Sequence, residues 1–228
     1  MQKLVLFDID KTLIKDVKSH HIAFSKAFKE VYGVSITIDI INHPGMTDQQ
    51  IIIEVLKKSR LKEELIKSKL RQCMEVIVKY FNKSVRNEEI LVLDGVQKLL
   101  EELNNHNVLI GLVTGNLEPI ARGKLKKVGL NHYFKIGGFG SDDINRTNLV
   151  KLVIERAKKN FGFKSNDNVF LFGDAPQDMK AGKEVGVKTI GVTTGIYSKK
   201  QLKDAGADFI LRNLKDKNKV LEIILIFV

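Results

Sequence analysis

The sequence is poor in three features that would narrow its class at once. It has one cysteine, Cys73, so an intramolecular disulfide is impossible, and we expect a reducing compartment, the cytoplasm. Its longest apolar run, residues 220–228, is broken by Glu222 and is far shorter than the roughly 20 residues that span a bilayer. No charged segment followed by a long apolar one opens the chain, so no secretion signal is expected. These absences predict no membrane partner, and the apolar tail is interpreted as a terminal helix or strand that packs on the core or on a second subunit.

Acidic residues are also in deficit, because 27 Asp and Glu stand against 38 Lys and Arg, giving a net charge of +11. A block of basic residues would indicate nucleic-acid binding, but the lysines are scattered in pairs along predicted helix faces. We interpret them as solvated surface and expect no nucleic-acid partner. A positive field also raises the encounter rate with small anionic substrates.

The sequence has no internal repeat and no low-complexity segment, and from residue 94 onward helical periodicity alternates with short apolar runs. Runs of this kind predict β-strands at residues 4–7, 108–113, 169–172 and 189–192, with a weaker one at 134–136. Strands that alternate with helices imply right-handed crossovers and a parallel sheet covered on both faces. The prediction is an α/β fold.

The interval after the first strand differs, because it carries helical periodicity without a strong strand. Helices are predicted over residues 20–32, from Thr47 to Leu56, where the Thr47 hydroxyl can cap the helix, and over residues 61–81. Cys73 lies on the apolar face of the third of these. We therefore predict a helical insertion, residues 15–85, between the two parts of the sheet domain.

Polar residues stand just past three of the predicted strands. Asp8 and Asp10 follow the first strand, Thr114 follows the strand at 108–113, and Asp174 follows the strand at 169–172. In a parallel sheet these positions share one edge, where ligands bind. Carboxylates that lie close together repel one another unless a divalent cation separates them, and Mg²⁺ takes oxygen ligands together with substrate phosphate oxygens. A carboxylate that faces a phosphate in such a site is well placed for attack at phosphorus.

With these motifs in order, the chain resembles the haloacid dehalogenase superfamily, and within it the branch of phosphatases similar to phosphoglycolate phosphatase. The matching segments are DIDKT from Asp8, VTG from Val113 and GDAPQD from Gly173. The stretch from residue 182 to 197 and the segment AGAD from Ala205 also resemble that branch. The resemblance implies a Rossmann-like, doubly wound core of residues 1–14 and 86–228 with a helical cap domain of residues 15–85.

The resemblance also implies a mechanism. Asp8 would be the nucleophile that forms an aspartyl-phosphate intermediate, and Asp10 the general acid and base. Mg²⁺ would be held by the carboxylates of Asp8 and Asp174 and by the backbone carbonyl of Asp10. Asp178 would ligate a water molecule of that site or orient a basic partner.

The groups that bind the phosphoryl oxygens follow from the second and third motifs. Thr114, the Gly115 amide and Asn116 would hold these oxygens. The branch usually places a Lys-Pro pair before the helix that precedes the fourth motif, and the chain has none. Arg146 occupies the corresponding place and can supply the charge, although Lys151 is a competitor. Lys11 stands where the family commonly has glycine.

A helical cap would close over the site, exclude water and select the substrate. We predict substrate contacts from His20 and His21 in the first cap helix and from the loop of residues 43–48, which contains Thr47. The partner is then a small phosphorylated metabolite, and the chain is expected as a monomer or homodimer.

Three other functions remain open from the sequence. A sugar-phosphate mutase and a pyrophosphatase of the same superfamily would use the same motifs. In a different class, a basic nucleic-acid-binding or regulatory protein could carry a vestigial acid cluster. Binding that weakens steeply with salt, without turnover, would indicate that last alternative. The function predicted first is a Mg²⁺-dependent phosphomonoester hydrolase.

Overall fold

The computed structural model describes residues 2–106, 108–164 and 168–225 of the chain. The strands are Lys3–Phe7 (β1), Val108–Thr114 (β2), Ile136–Phe139 (β3), Val169–Gly173 (β4), Lys188–Val192 (β5) and Phe209–Leu211 (β6). The helices are Lys18–Tyr32 (α1), Asp48–Lys58 (α2), Glu63–Ser84 (α3), Val96–Asn105 (α4), Glu118–Lys127 (α5), Arg146–Phe161 (α6), Pro176–Val185 (α7), Lys199–Asp204 (α8) and Lys217–Leu225 (α9).

All six strands pair in parallel in the order β3-β2-β1-β4-β5-β6. This is the order of a doubly wound sheet. The direction in which successive strands are added reverses between β1 and β4, and this leaves a crevice at the carboxyl edge. The predicted α/β, Rossmann-like fold is confirmed. Phe7 is level with Leu112 of β2 and with Phe172 of β4, so the three central strands end within two residues of the same level.

The sheet lies between two hydrophobic cores, so β1 is buried on both faces. Leu4 and Leu6 point into a core formed mainly with α6, whereas Val5 and Phe7 point into the larger core on the other face. Such alternation follows from the two-residue period of a strand. Because both faces are covered, the strand is apolar throughout, which is why it could be predicted as a continuous run.

Helices α1, α2 and α3 form one group, here called the helical insert (residues 18–84), between β1 and the rest of the sheet. Helices α1 and α3 pack along each other, and Cys73 is buried on α3. Thr47 caps α2 as predicted, since its hydroxyl accepts from the Gln50 amide and the Gln50 side chain accepts from the Thr47 amide. The short apolar segment at residues 36–41 contains a 3₁₀ turn, Ile38–Ile40.

The third strand and the tail refine the sequence-based expectations. β3 begins at Ile136, two residues later than the predicted start, and it contains two glycines that carry no strand signal. The tail forms the helix α9, whose Val220, Ile223 and Ile224 are buried against the sheet domain. Residues 226–228 of the predicted tail lie outside the described residues. Within the described ranges, no helix combines the length and apolarity needed to cross a membrane.

Candidate active site

The three predicted strand ends meet at one place. Asp8 directly follows β1, Thr114 is the last residue of β2, and Asp174 directly follows β4. Because β2, β1 and β4 are adjacent, their ends form the middle of the carboxyl edge. All three side chains are buried. Sequence reasoning therefore brought together residues that lie 60 to 166 positions apart.

A cluster of carboxylates, Asp8, Asp174 and Asp178, occupies this edge. One carboxylate oxygen of each lies within 4.8 Å of the others. Burial and the charges of Asp8 and Asp178 raise the pKa of Asp174 to about 8, and burial raises the pKa of Asp178 to about 7. Burial also raises the pKa of Asp8 above its ordinary value of 3.8, although the charge of Arg146 opposes this effect. The cluster is therefore short of positive charge.

Arg146 provides the one cation that touches this cluster among the described residues. It is the first residue of α6, whose cap residue Asn145 accepts from the Thr147 amide. Its Nη2 donates to Asp8 Oδ1 over 2.8 Å, and its Nε lies 2.9 Å from Asp178 Oδ1. The structure thus places Arg146 at the cluster, whereas Lys151 is exposed on the same helix.

A second group surrounds Asp10. The ammonium group of Lys124, on α5, lies 2.8 and 2.7 Å from the two carboxylate oxygens of Asp10 and also donates to Asn116 Oδ1. The Asn116 amide donates to Asp10 Oδ2 over 2.7 Å and to the Thr114 hydroxyl over 2.8 Å. Although burial alone would raise it, the charge of Lys124 holds the pKa of Asp10 below its ordinary value. Asp10 is therefore held as a carboxylate.

Lys124 also joins the site to the helical insert. It lies 3.1 Å from His20 Nδ1, and His20 Nε2 lies 3.2 Å from Asp48 Oδ2. An ammonium group can only donate, so Nδ1 accepts and the ring proton resides on Nε2, which donates to Asp48. Asp48 Oδ2 also accepts from the Leu117 amide over 2.8 Å. His20 thus lies at the site, where its two ring nitrogens already have partners.

The loop between the Ile38–Ile40 turn and α2 lies against the sheet edge. The Asp48 amide donates to the Gly115 carbonyl over 2.8 Å, and Arg146 Nη1 donates to the Gly45 carbonyl over 2.9 Å. A methyl group on Gly115 would meet the Met46 carbonyl oxygen at 2.3 Å. This approach requires glycine at position 115, so the second motif serves the contact with the helical insert.

These contacts enclose a cavity of about 90 Å³, whose walls come from both the sheet edge and the helical insert. His20 and His21 line it, as do residues 43–46 of the predicted loop. Thr47 has its hydroxyl engaged elsewhere, since it donates to the Ile144 carbonyl and caps α2. The structure therefore gives Thr47 a positioning contact beside the cavity.

Lys11, at the position where the family commonly has glycine, adopts a backbone conformation that favours glycine. Its φ is 61°, in the left-handed region that glycine adopts without strain. Its side chain lines the cavity with its ammonium group 3.2 Å from Asp16, and its carbonyl accepts from the Thr194 hydroxyl. The chain thus forms the turn between Asp10 and Thr12 with a lysine in the left-handed conformation.

The acid cluster fits Mg²⁺. Its donor set consists of carboxylate oxygens, which are the ligands that Mg²⁺ prefers. Asp178 Oδ1 completes no hydrogen bond among the described residues, although Arg146 Nε forms an ion pair with it. The raised pKa values of Asp174 and Asp178 show that one arginine does not neutralise three buried carboxylates.

Lys124 is the site residue that sequence reasoning missed. It is 1% exposed and shares the buried face of α5 with Ile120, Ala121 and Leu125. The signal was present, because a lysine at a core-facing position of an amphipathic helix needs a buried partner. Asp48 fell within the predicted loop, but its contact with His20 was not anticipated.

A doubly wound sheet with this acid cluster at its switch point defines the class of Rossmann-like enzymes whose chemistry depends on carboxylates at the strand ends. The family model for haloacid dehalogenase-like hydrolases matches residues 5–192, and the chain belongs to that family. The prediction of an enzyme of this superfamily is confirmed.

Named relatives agree with this placement over nearly the whole chain. The chain is similar to pyrophosphatase PpaX of Halalkalibacterium halodurans, at 26% identity over 93% of each chain. It is also similar to phosphoglycolate phosphatase of Aquifex aeolicus, at 23% identity over 96% of this chain and 97% of the relative. The crystal structure of a hydrolase from Pseudomonas syringae shares the fold, with a TM-score of 0.73 and 22% identity over 98% of this chain and 99% of that one.

Proposed function

We propose that the protein is a Mg²⁺-dependent phosphomonoester hydrolase that acts on a small phosphorylated metabolite through an aspartyl-phosphate on Asp8. The observation that carries this proposal is the position of Asp8. Its carboxylate lines the cavity at the end of the central strand, 2.8 Å from the Arg146 guanidinium and two residues before a second acid.

In this proposal Asp8 attacks phosphorus, and the bond from phosphorus to the leaving oxygen breaks. Arg146, Thr114 and the backbone amide of Gly115 hold the phosphoryl oxygens, where negative charge is concentrated. Asp8, Asp174, the Asp10 carbonyl and Asp178, directly or through a water molecule, would hold Mg²⁺, which supplies charge neutralisation for the phosphoryl group.

Asp10 and Lys124 handle the proton in this scheme. The pair holds its proton on the lysine, so the Asp10 carboxylate is ready to take a proton from the water that hydrolyses the aspartyl-phosphate. In the first half-reaction the same pair delivers a proton to the leaving oxygen. Asn116 fixes the orientation of Asp10 by donating to Oδ2.

We also propose that residues 15–85 act as a cap domain over a core of residues 1–14 and 86–228. In support, the loop before α2 contacts Gly115 and Arg146, and both parts of the chain line the cavity. The small volume of that cavity favours a compact leaving group.

Pyrophosphate is the second candidate substrate. Three of the similar curated proteins, at 23 to 26% identity, carry the name pyrophosphatase PpaX. A phosphate leaving group is small and is stable as an anion, so it demands less from the proton donor than an alcohol does.

The test is turnover with Mg²⁺ on a panel of small phosphate esters that includes phosphoglycolate, sugar phosphates, an aryl phosphate and pyrophosphate. We expect hydrolysis of at least one member and a loss of at least about 10³-fold in Asp8→Asn. Asp204→Asn, which alters an exposed carboxylate on α8, is the matched control. The proposal fails if the folded protein hydrolyses no member and beryllium fluoride does not bind at Asp8.

A further inference from the structure

A second group of potential ligands lies at the cavity, apart from the acid cluster. His21 lies on α1, Asp39 lies in the Ile38–Ile40 turn, and His43 lies in the loop before α2. One ligand atom from each lies within 4.8 Å of the other two. The imidazole rings stand nearly perpendicular, at 81°, with centroids 5.4 Å apart.

These three side chains have no other polar partner in the described part of the chain, where neither imidazole nor the Asp39 carboxylate makes a hydrogen bond or an ion pair. Both histidines are half-buried and line the cavity. Their ring nitrogens are not sealed from solvent, so a ligand can reach them through the cavity. Two unbonded imidazoles beside an exposed carboxylate form a donor set that one ligand can share.

The spacing, within 4.8 Å, is close to that of a metal coordination shell. Nitrogen and oxygen ligands lie about 2.0–2.2 Å from Zn²⁺, so their atoms stand no more than about 4.4 Å apart across the ion. Small side-chain rotations close the remaining gap, because Asp39 is exposed and free to turn. Burial, together with the charges of neighbouring basic groups, lowers the pKa of both His21 and His43, so each offers a neutral nitrogen at neutral pH.

We propose that His21, Asp39 and His43 form a binding site for one divalent transition-metal ion, with Zn²⁺ as the best match, separate from the Mg²⁺ site at the strand ends. Two imidazoles and one carboxylate suit borderline ions such as Zn²⁺, whereas Mg²⁺ prefers oxygen alone. Three protein ligands leave a coordination position open, and the two histidines face the cavity.

The bound ion would join α1 to a loop that already holds the catalytic arginine. Residues next to His43 are fixed to the sheet domain, because the Pro44 carbonyl accepts from Gln177 Nε2 and Tyr197 and the Gly45 carbonyl accepts from Arg146. Occupancy would therefore stabilise the protein and hold this loop in place. The inference does not depend on the proposed phosphatase activity.

The experiment is a calorimetric titration of the full chain with Zn²⁺ in a saturating concentration of Mg²⁺, which occupies the oxygen site. We expect one equivalent to bind, with at least about tenfold weaker affinity in His21→Ala and in His43→Ala. His132→Ala, at an exposed histidine, should bind as the unaltered protein does. Asp174→Asn should lose Mg²⁺ binding and retain Zn²⁺ binding.

A measurement on the unaltered protein covers the case in which a variant does not fold. Of the five histidines, only His21 and His43 should change their ring NMR signals when one equivalent of Zn²⁺ is added. The proposal is overturned if no Zn²⁺ binds, if different histidines respond, if binding survives the histidine substitutions, or if it disappears in Asp174→Asn.

Discussion

Removing one carboxylate from the acid cluster should stabilise the protein when no divalent cation is available. Asp174 is buried beside Asp8 and Asp178, and its pKa is about 8 instead of 3.8. The folded protein thus keeps a proton on Asp174 between about pH 4 and 8, a range in which the unfolded chain has released it. The contribution of Asp174 to stability is full below about pH 4 and is lost as the pH rises towards 8.

The size of the effect follows from the two pKa values. A separation from 3.8 to about 8, at about 1.36 kcal/mol for each pH unit, sets an upper bound of about 6 kcal/mol above pH 8. Water penetration and relaxation lower such costs in real proteins. We therefore expect Asp174→Asn to raise the free energy of unfolding by about 2–4 kcal/mol at about pH 8.5, and by almost nothing near pH 4.

The assay is urea unfolding in EDTA at several pH values, followed by far-UV circular dichroism because the chain has no tryptophan. Asp204→Asn is the control for a carboxylate that is exposed. Mg²⁺ at about 1,000 times its Kd should reverse the order, since binding then adds about 4.1 kcal/mol to the unaltered protein alone. An Asp174→Asn variant that is no more stable in EDTA at about pH 8.5, or whose advantage is independent of pH, would refute the reasoning.

Two further substitutions test the cations of the site. Lys124→Met should raise the pKa of Asp10, so the acidic limb of the profile of kcat/KM against pH moves upward; an unchanged limb would contradict the assigned contact. In steady-state kinetics, Arg146→Met should lower kcat by about 10²–10³-fold, whereas Lys151→Met should change kcat by less than about twofold. The reverse result would assign the basic residue of the third motif to Lys151.

The sheet could be predicted because its central strands are buried on both faces. Residues 4–7 and 169–172 are uninterrupted apolar runs, and each predicted run lies inside the observed strand. β6 was not predicted, since it has only three residues at the sheet edge. Asp94 lies just before α4 but does not cap it: Gly95 occupies the cap position, and Asp94 pairs with Lys215.

The part of the candidate site that lies at the ends of the strands could be predicted from the sequence. Asp8, Thr114 and Asp174 follow from topology, because parallel strands end at one edge. Arg146 was predicted from the family resemblance, which places a basic residue before this helix, and in the structure it donates to Asp8. The pairing of His21 with Asp39 and His43 had no sequence signal, because the turn at Ile38–Ile40 sets it.

The contacts between the helical insert and the sheet edge were beyond sequence reasoning for a physical reason. Periodicity shows which face of a helix is apolar, but not which distant element that face meets. His20 and Lys124 are 104 residues apart, and Lys124 and Asp10 are 114 apart. Because the same ammonium group binds His20 and Asp10, the position of α1 and the charge environment of Asp10 depend on one side chain. A movement of α1 that withdraws His20 therefore also alters the group that holds Asp10 as a carboxylate.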